Sequence, residues 1–386
     1  MRNTGKALKA LLLSSIALIS MTAEAQDDLN TITTGVPFLM ISPDARGGSM
    51  GDAGVATAPD ANSMFWNPAK YAFIEDESGF TIGYSPWLRD LVDDIGLSNL
   101  AFYKRLDDQQ VVGATLRYFS LGNIQFTDNN GDPLGEYQPN EFAVDGTYAR
   151  KLSDKFSLAV AGRFIYSNLT SGQFTNGQAT NPGTSIAADI GLYYENDMDF
   201  GRTDGVFSFG MNISNIGAKI SYTSEVEKDF IPTNLRLGPA VKLELDSYNE
   251  ISFGLDINKL LVPTPPIYEE DDNDEIAEGM DNDVSVITGI FQSFYDAPGG
   301  FNEELRELSF AFGTEYWYDD TFSLRGGFFY EDPTKGNRKY FTMGAGLKYN
   351  VFALDFSYLI PTGQRSPLDN TLRFSLFFDF EAFTGG

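Results

Sequence analysis

The feature that most constrains this chain is its last run, from Arg306 to Phe380, which predicts five hairpin-linked strands. Side chains alternate between the two faces of a strand, so a strand with one apolar face shows a period of two. The segment 340–349 has this period: Phe341, Met343, Ala345, Leu347 and Tyr349 fall on one face, and Thr342, Gly344, Gly346 and Lys348 on the other. The apolar faces of a soluble sandwich would need a second sheet to cover them. Strands of about ten residues, rich in Gly and aromatics and repeated down the chain, are instead typical of a transmembrane antiparallel β-barrel.

The N-terminus predicts export. Basic residues precede an apolar stretch from Ala10 to Met21, and Ala23-Glu24-Ala25 is a small-x-small cleavage site. We therefore expect a signal peptide at residues 1–25 and a mature chain that begins at Gln26. No later segment holds about 18 consecutive apolar residues, so the pattern favours crossing a membrane with strands. Because no Cys follows the signal, a lipoprotein is not expected.

Composition narrows the chemistry. The chain has no His and no Cys, which excludes Ser-His-Asp and Cys-His catalysis, His-ligated zinc and thiolate metal sites. The formal charge of −27 argues against nucleic-acid binding, which needs basic patches. We expect no catalytic residues, no cofactor and no metal. A surface enzyme that uses carboxylates alone is formally open and disfavoured.

The mature residues before the first strand, 26–77, predict a plug or hatch segment. The Gly- and Ala-rich stretch around Gly51 lets backbones pack closely. Asn67-Pro68, directly after Trp66, is a turn or helix-start signal. A nucleotide site is disfavoured because GxGxxG and Walker spacings are absent. We expect Gly51, Trp66, Asn67 and Pro68 to be structural residues of a segment packed in the lumen or against the barrel mouth.

Residues 78–386 predict a barrel of about fourteen strands, the third near 110–127 and the tenth near 304–318. The predicted connections are tight after even-numbered strands and mostly long after odd-numbered ones. Short periplasmic turns and long external loops are the signature of outer-membrane barrels. The pattern also places the N-terminus on the periplasmic side.

The longest predicted external loop, 260–303, has the most unusual composition. Pro263 and Pro265 stiffen its start. Its acidic stretch, 268–283, lacks the register of an EF-hand, so calcium binding is disfavoured against a solvated acidic loop. An aromatic-rich stretch follows, and it either folds over the barrel mouth and buries its aromatics or forms a partner-docking surface. The candidate partner-binding residues are Pro263, Pro265, Phe291, Phe294, Tyr295 and Phe301.

Several segments together resemble the PorV (LptO) family of the type IX secretion system, whose barrel is FadL-like. These segments are Arg46–Gly51, Phe65–Ala69, Asn215–Gly217, Ile231–Gly238, Asn258–Pro266 and Ser293–Glu304. The resemblance implies an outer-membrane protein that binds the C-terminal signal domains of secreted cargo. It also implies partners: the Sov/SprA translocon, the PorU sortase and PorZ of the attachment complex, and outer-membrane lipid.

Two other transport functions stay open. A FadL-type channel for hydrophobic compounds would need an apolar pocket, which the lumen-facing Phe119, Tyr193, Phe329 and Phe377 either line or replace by filling space beneath the plug. A general porin is disfavoured by the long plug segment.

Overall fold

The computed structural model describes residues 29–88, 94–127, 133–169, 174–175, 178–201, 203–223, 228–269, 275–363 and 368–379. The signal peptide expected at residues 1–25 lies outside this range, and its cleavage stays a prediction. No helix in the described part of the chain is long and apolar enough to cross a membrane.

Fourteen antiparallel strands close into a barrel, which confirms the predicted fold class. The closing pair joins β1 to β14, from Gly79 opposite Asp379 to Tyr84 opposite Phe374. The strands are β1 Ser78–Pro86, β2 Ile95–Arg105, β3 Gln110–Leu121, β4 Asn140–Ser153, β5 Phe156–Asn168, β6 Gly183–Asp199, β7 Asp204–Gly217, β8 Asn234–Glu244, β9 Asn249–Leu260, β10 Leu308–Tyr318, β11 Phe322–Tyr330, β12 Lys339–Tyr349, β13 Phe352–Pro361 and β14 Leu372–Asp379.

Because side chains alternate along each strand, they point in turn to the outside and to the inside of the barrel. On β12, Phe341 and Met343 point outward and are 54% and 51% exposed, whereas Thr342 points inward and is 4% exposed. Thr342 donates a hydrogen bond from its hydroxyl to the carbonyl of Ser49 in the lumen at 2.8 Å. Apolar side chains therefore face the lipid position, and polar ones face a filled interior.

The connections sort by length. Those after even-numbered strands have two to four residues, and those after odd-numbered strands have eight to 47. Asp319 and Asn350 take left-handed φ values of 52° in two of the tight turns, a conformation that Asn and Asp tolerate better than other non-Gly residues. The tight turns mark the periplasmic end and the long loops the external end of an outer-membrane barrel.

Two strands differ from their predicted bounds by more than three residues at one end. β3 ends at Leu121, because Gly122 turns the chain with a φ of +80° and Ile124–Thr127 pairs with Pro133–Tyr137 as a separate hairpin. β10 begins at Leu308, because Phe301–Arg306 forms a helix instead of extending the strand. In both places the external end of the barrel departs from a simple ladder.

The lumen holds a plug of short helices. They comprise a 3₁₀ helix at Pro37–Met40, α1 at Ala45–Ser49, α2 at Ser63–Trp66 and a second 3₁₀ helix at Pro68–Phe73. α1 packs against β11 to β14, whereas the second 3₁₀ helix packs against β3 to β6 on another part of the barrel wall. The plug therefore bridges the lumen from one side to the other.

The plug enters from the external end, so the expectation of a periplasmic N-terminus was wrong for the described chain. The Asn30 side chain donates to the carbonyl of Pro265 at 3.3 Å and to Glu303 Oε1 at 3.1 Å, both in the longest external loop. The chain then descends through the lumen and reaches β1 at the end of the tight turns. Hydrophobic periodicity identifies the strands of the barrel, but it carries no information on the direction in which a segment runs through the lumen.

Candidate partner-binding site

The plug is joined to the barrel wall by buried ion pairs. Arg46 of α1 binds Glu315 of β10 through two bonds, Nε to Oε2 at 2.9 Å and Nη2 to Oε1 at 2.8 Å. Arg325 of β11 donates to the same carboxylate at 2.6 Å and to Asp355 of β13 at 2.5 Å. Because charges buried without partners are very costly, this arrangement ties α1 to one position.

Trp66 contacts another part of the plug, and Gly51 lies against the barrel wall. The Trp66 indole donates to Asp44 Oδ1 at 2.8 Å, and Asp44 Oδ2 accepts from the backbone N–H of Gly47 at the start of α1. Gly51 has a φ of +69°, and a Cβ there would lie 2.5 Å from the backbone nitrogen of Phe328. Only glycine suits that conformation and that close approach to the barrel wall.

Asn67 and Pro68 start the second 3₁₀ helix and join it to the wall. The Asn67 side chain donates to the carbonyls of Leu192 at 2.8 Å and Val55 at 3.1 Å, and its oxygen accepts from the N–H of Ala69. Pro68 occupies the first turn of the helix, where a missing N–H costs nothing. The four residues expected to be structural thus lie at plug–wall or plug–plug contacts.

The lumen aromatics pack against the plug and its surroundings. Phe119 stacks on Phe38 with a centroid distance of 6.2 Å, and Tyr193 meets Phe73 edge-on at 5.3 Å. The rings of Phe329 and Tyr340 stack at 5.0 Å, and Phe377 packs against the apolar cluster under the second 3₁₀ helix. The sequence left open whether these aromatic residues line a ligand pocket or fill space beneath the plug, and these contacts support the second interpretation.

The interior at the height of the plug is charged. Arg163 pairs with Asp145 and, at 2.9 Å, with Asp189, and Arg117 donates to the carbonyl of Leu39 at 3.2 Å. Two cavities of about 10 Å³ each lie beside these arginines. A third cavity, of about 360 Å³, lies at the periplasmic mouth and is lined by both acidic and basic residues, among them Glu195 and Lys242.

The longest external loop, 261–307, carries an exposed apolar surface on two short helices, α3 at Val286–Gln292 and α4 at Phe301–Arg306. Phe291 is 65% exposed and Phe301 is 75% exposed. We call the exposed apolar residues of this region the aromatic face: Ile287, Phe291, Phe294, Tyr295, Phe301 and Leu305. Ile287 and Leu305 were missed from the sequence, although each lies four residues from an aromatic on the same helix face.

A basal ion cluster anchors this loop from below. The Lys259 ammonium lies 3.0 Å from Glu304 and 2.7 Å from Glu307, and the Lys335 ammonium lies 3.0 Å from Glu307 and 2.5 Å from Glu303. Lys335 comes from the connection between β11 and β12. Sequence reasoning missed the cluster. In the sequence, Lys259 is the last base before an acidic stretch, and nothing near Lys335 indicates that the two residues meet.

Pro263 and Pro265 lie beneath the aromatic face. The ring of Pro263 lies 3.0 Å from the position a Cβ would take at Gly289 of α3, and the carbonyl of Pro265 accepts from Asn30. The N–H of Thr264 donates to Asp296 Oδ2 at 3.2 Å. Burial, together with the nearby Glu304 and Glu307, raises the pKa of Asp296 to about 6, although the hydrogen bond from the Thr264 N–H lowers it.

The acidic part of the loop is described only in part, since Glu270–Asp274 lie outside the described residues. Ile267–Tyr268 pairs with Ile276–Glu278 as a small hairpin. Within the described ranges, no group of three or more Asp or Glu residues could hold a metal ion.

The family comparison follows the resemblance seen in the sequence. The family model described as type IX secretion system protein PorV matches residues 23–267. That range covers the plug and β1 to β9 and ends before α3 and α4, so the aromatic face lies beyond it. No curated protein sequence matches the chain.

Solved structures share the fold at low identity. The Pseudomonas putida toluene transporter TodX has 12% sequence identity and a TM-score of 0.51, with 91% of this chain and 99% of TodX covered. A TodX deltaS2S3 mutant, a monoaromatic hydrocarbon channel, has 12% identity and a TM-score of 0.51, with 87% and 98% covered. A Pseudomonas aeruginosa FadL homologue has 11% identity and a TM-score of 0.43, with 91% and 99% covered. At such identity the likeness shows the fold alone, a FadL-like fourteen-stranded barrel.

Proposed function

Because the chain belongs to the PorV family of type IX secretion system proteins, we propose that it is a carrier for secreted cargo. In this proposal it binds the C-terminal signal domain of cargo as the cargo leaves the Sov/SprA translocon. It then presents the cargo to the attachment complex with the PorU sortase and PorZ. The fold and the family are those of an outer-membrane protein of a secretion system, and the proposal assigns it binding without catalysis.

The observation that carries the proposal is the aromatic face. Large apolar side chains held in water mark protein interfaces, and aromatic residues are the commonest hot spots within them. The basal ion cluster and the prolines hold α3 and α4 in place before a partner arrives. A surface that is already ordered loses less entropy on binding.

The lumen supports the proposal in a second way. The cavities beside Arg117 and Arg163 have room for little more than water, and charged side chains line them. A carrier that acts from its external loop needs no passage through the barrel.

The first test is the fate of cargo in a strain that lacks this gene. We expect proteins with the C-terminal signal domain to accumulate in the periplasm or to leave the cell with that domain uncleaved. Unchanged secretion and cleavage would contradict the carrier function.

The second test assigns the function to the aromatic face. The four substitutions Phe291→Ala, Phe294→Ala, Tyr295→Ala and Phe301→Ala are combined, and binding of a purified cargo signal domain to the purified barrel is measured. We expect an affinity loss of at least tenfold, since truncated hot spots each cost about 2 kcal/mol or more. Tyr248→Ala, which removes an aromatic residue that is 57% exposed on a periplasmic turn, is the matched control and should leave binding unchanged.

The alternative is a channel for hydrophobic compounds, favoured by the fold shared with TodX. It requires the plug to move, because the interior at the height of the plug is filled. Directional uptake of a labelled fatty acid or aromatic hydrocarbon by cells with and without the gene tests it. Uptake that falls while secretion stays unchanged would support the channel over the carrier.

A further inference from the structure

We propose that the partner surface that binds the aromatic face has an apolar centre flanked by basic residues. This inference rests on the proposed function and specifies which face of the cargo signal domain docks. The first observation is the charge of the loop. Between residues 267 and 307 the sequence has thirteen Asp and Glu residues and one base, Arg306.

The acidic segment lies beside the aromatic face. The Gln292 side chain at the end of α3 donates to the carbonyl of Asp281 at 2.7 Å. A Cβ at Gly279 would lie 3.1 Å from the ring of Pro298, which precedes α4. The segment from Gly279 to Asp281 therefore packs against the connection between the two helices. It belongs to the acidic stretch 268–283, and we call four exposed carboxylates of that stretch the acidic rim: Glu269, Glu275, Glu278 and Asp281.

Three bases near the loop are already paired with acidic residues. Lys259 and Lys335 are buried in the basal ion cluster. Lys219 pairs with Asp283 at 3.0 Å and lies over the ring of Phe230. The loop therefore presents exposed carboxylates beside an apolar centre.

Such a surface discriminates between partners. Complementary charges around an interface accelerate encounter and disfavour like-charged surfaces, while the apolar centre supplies most of the affinity. Exposed charges are screened at a distance of about 8 Å at physiological salt, so the effect of the acidic rim should fall as salt rises. An acidic partner face would have to overcome repulsion before its apolar residues made contact.

The test compares two charge-matched variants of the full-length barrel. The rim variant combines Glu269→Gln, Glu275→Gln, Glu278→Gln and Asp281→Asn. The control combines Asp108→Asn, Asp154→Asn, Asp319→Asn and Asp320→Asn, four exposed acids on periplasmic turns. The association rate of a purified cargo signal domain is measured for both variants and for the wild type at low salt and at about 0.5 M salt.

We expect the rim variant to associate at least threefold more slowly than the wild type at low salt, and the difference to vanish at high salt. The control should match the wild type throughout. A rim variant that associates as fast as the wild type at both salt concentrations would overturn this inference and leave the carrier function standing. Absence of binding to the wild-type barrel would overturn both.

Discussion

The plug–wall interface and the longest external loop both contain buried ion pairs, but the two sets have different surroundings. In the lumen, Arg46 reaches Glu315 across the barrel, and the ion pairs close the interior. In the loop, Lys259 and Glu307 are buried below α3 and α4, and apolar residues are left above them in water. The difference indicates that the plug's contacts hold the fold together, whereas the loop's buried charges support the exposed surface to which we assign binding in the proposed function.

The largest effect should come from breaking the plug–wall interface. Glu315→Ala leaves Arg46 and Arg325 buried without their shared counter-charge. We expect the free energy of unfolding in lipid vesicles, measured by urea titration, to fall by about 3–5 kcal/mol. Glu244→Ala is the control, because Glu244 lies 4.0 Å from Lys242 with both side chains partly exposed. If the two variants lost the same stability, the lumen pairs would not be what holds the plug.

A second change tests the close approach of the plug to the wall. Gly51→Ala places a Cβ against the backbone of Phe328 and forces alanine to a positive φ. The expected loss is about 3 kcal/mol in the same titration. Gly146→Ala is the matched control, since a Cβ at Gly146 has no neighbour within 4 Å. A Gly51 variant as stable as the Gly146 variant would mean that the plug can shift away from the wall at little cost.

The same two regions show what the sequence could predict. Strand periodicity is local, so it predicted a barrel of about fourteen strands, and the parity of loop lengths predicted which end of the barrel is external. Apolar alternation predicted which side chains face outward. These features need only neighbouring residues, because the period of a strand is set by its backbone.

The interior and the base of the loop could not be predicted from the sequence. Arg46 and Glu315 are 269 positions apart, and Lys335 is 28 positions from Glu307, so no spacing rule connects them. The direction of the plug was predicted wrongly, because Asn30 meets the external loop through contacts that leave no local pattern. The last three residues of α4 were assigned to the tenth strand, since the six residues of the helix are too few to show a helical period.

A smaller and local effect should come from the basal ion cluster. Glu307→Gln removes the carboxylate shared by Lys259 and Lys335 and weakens the bond from the Thr264 hydroxyl, 2.6 Å in length. Hydrogen exchange should show the opening free energy of residues 261–307 falling by about 1–2 kcal/mol, while the barrel strands stay protected. Exchange that rose equally in β1 to β14 would mean that the loop and the barrel are one cooperative unit.

The smallest effect should be a pH dependence confined to the loop. Because burial raises the pKa of Asp296 from 3.8 to about 6, the closed loop holds this proton more tightly than an open loop does. Its contribution to loop stability is therefore fully present below pH 4 and is lost as the pH rises to about 6. Asp296→Asn keeps an oxygen that can accept from the Thr264 N–H and cannot titrate, so its loop stability should change less over this range. The facing Glu304 and Glu307 are the same in both proteins, and the difference between the two hydrogen-exchange profiles therefore isolates Asp296. Parallel profiles from pH 4 to pH 6 would show that Asp296 is ionised in the closed loop. The basal ion cluster alone would then hold the loop in position.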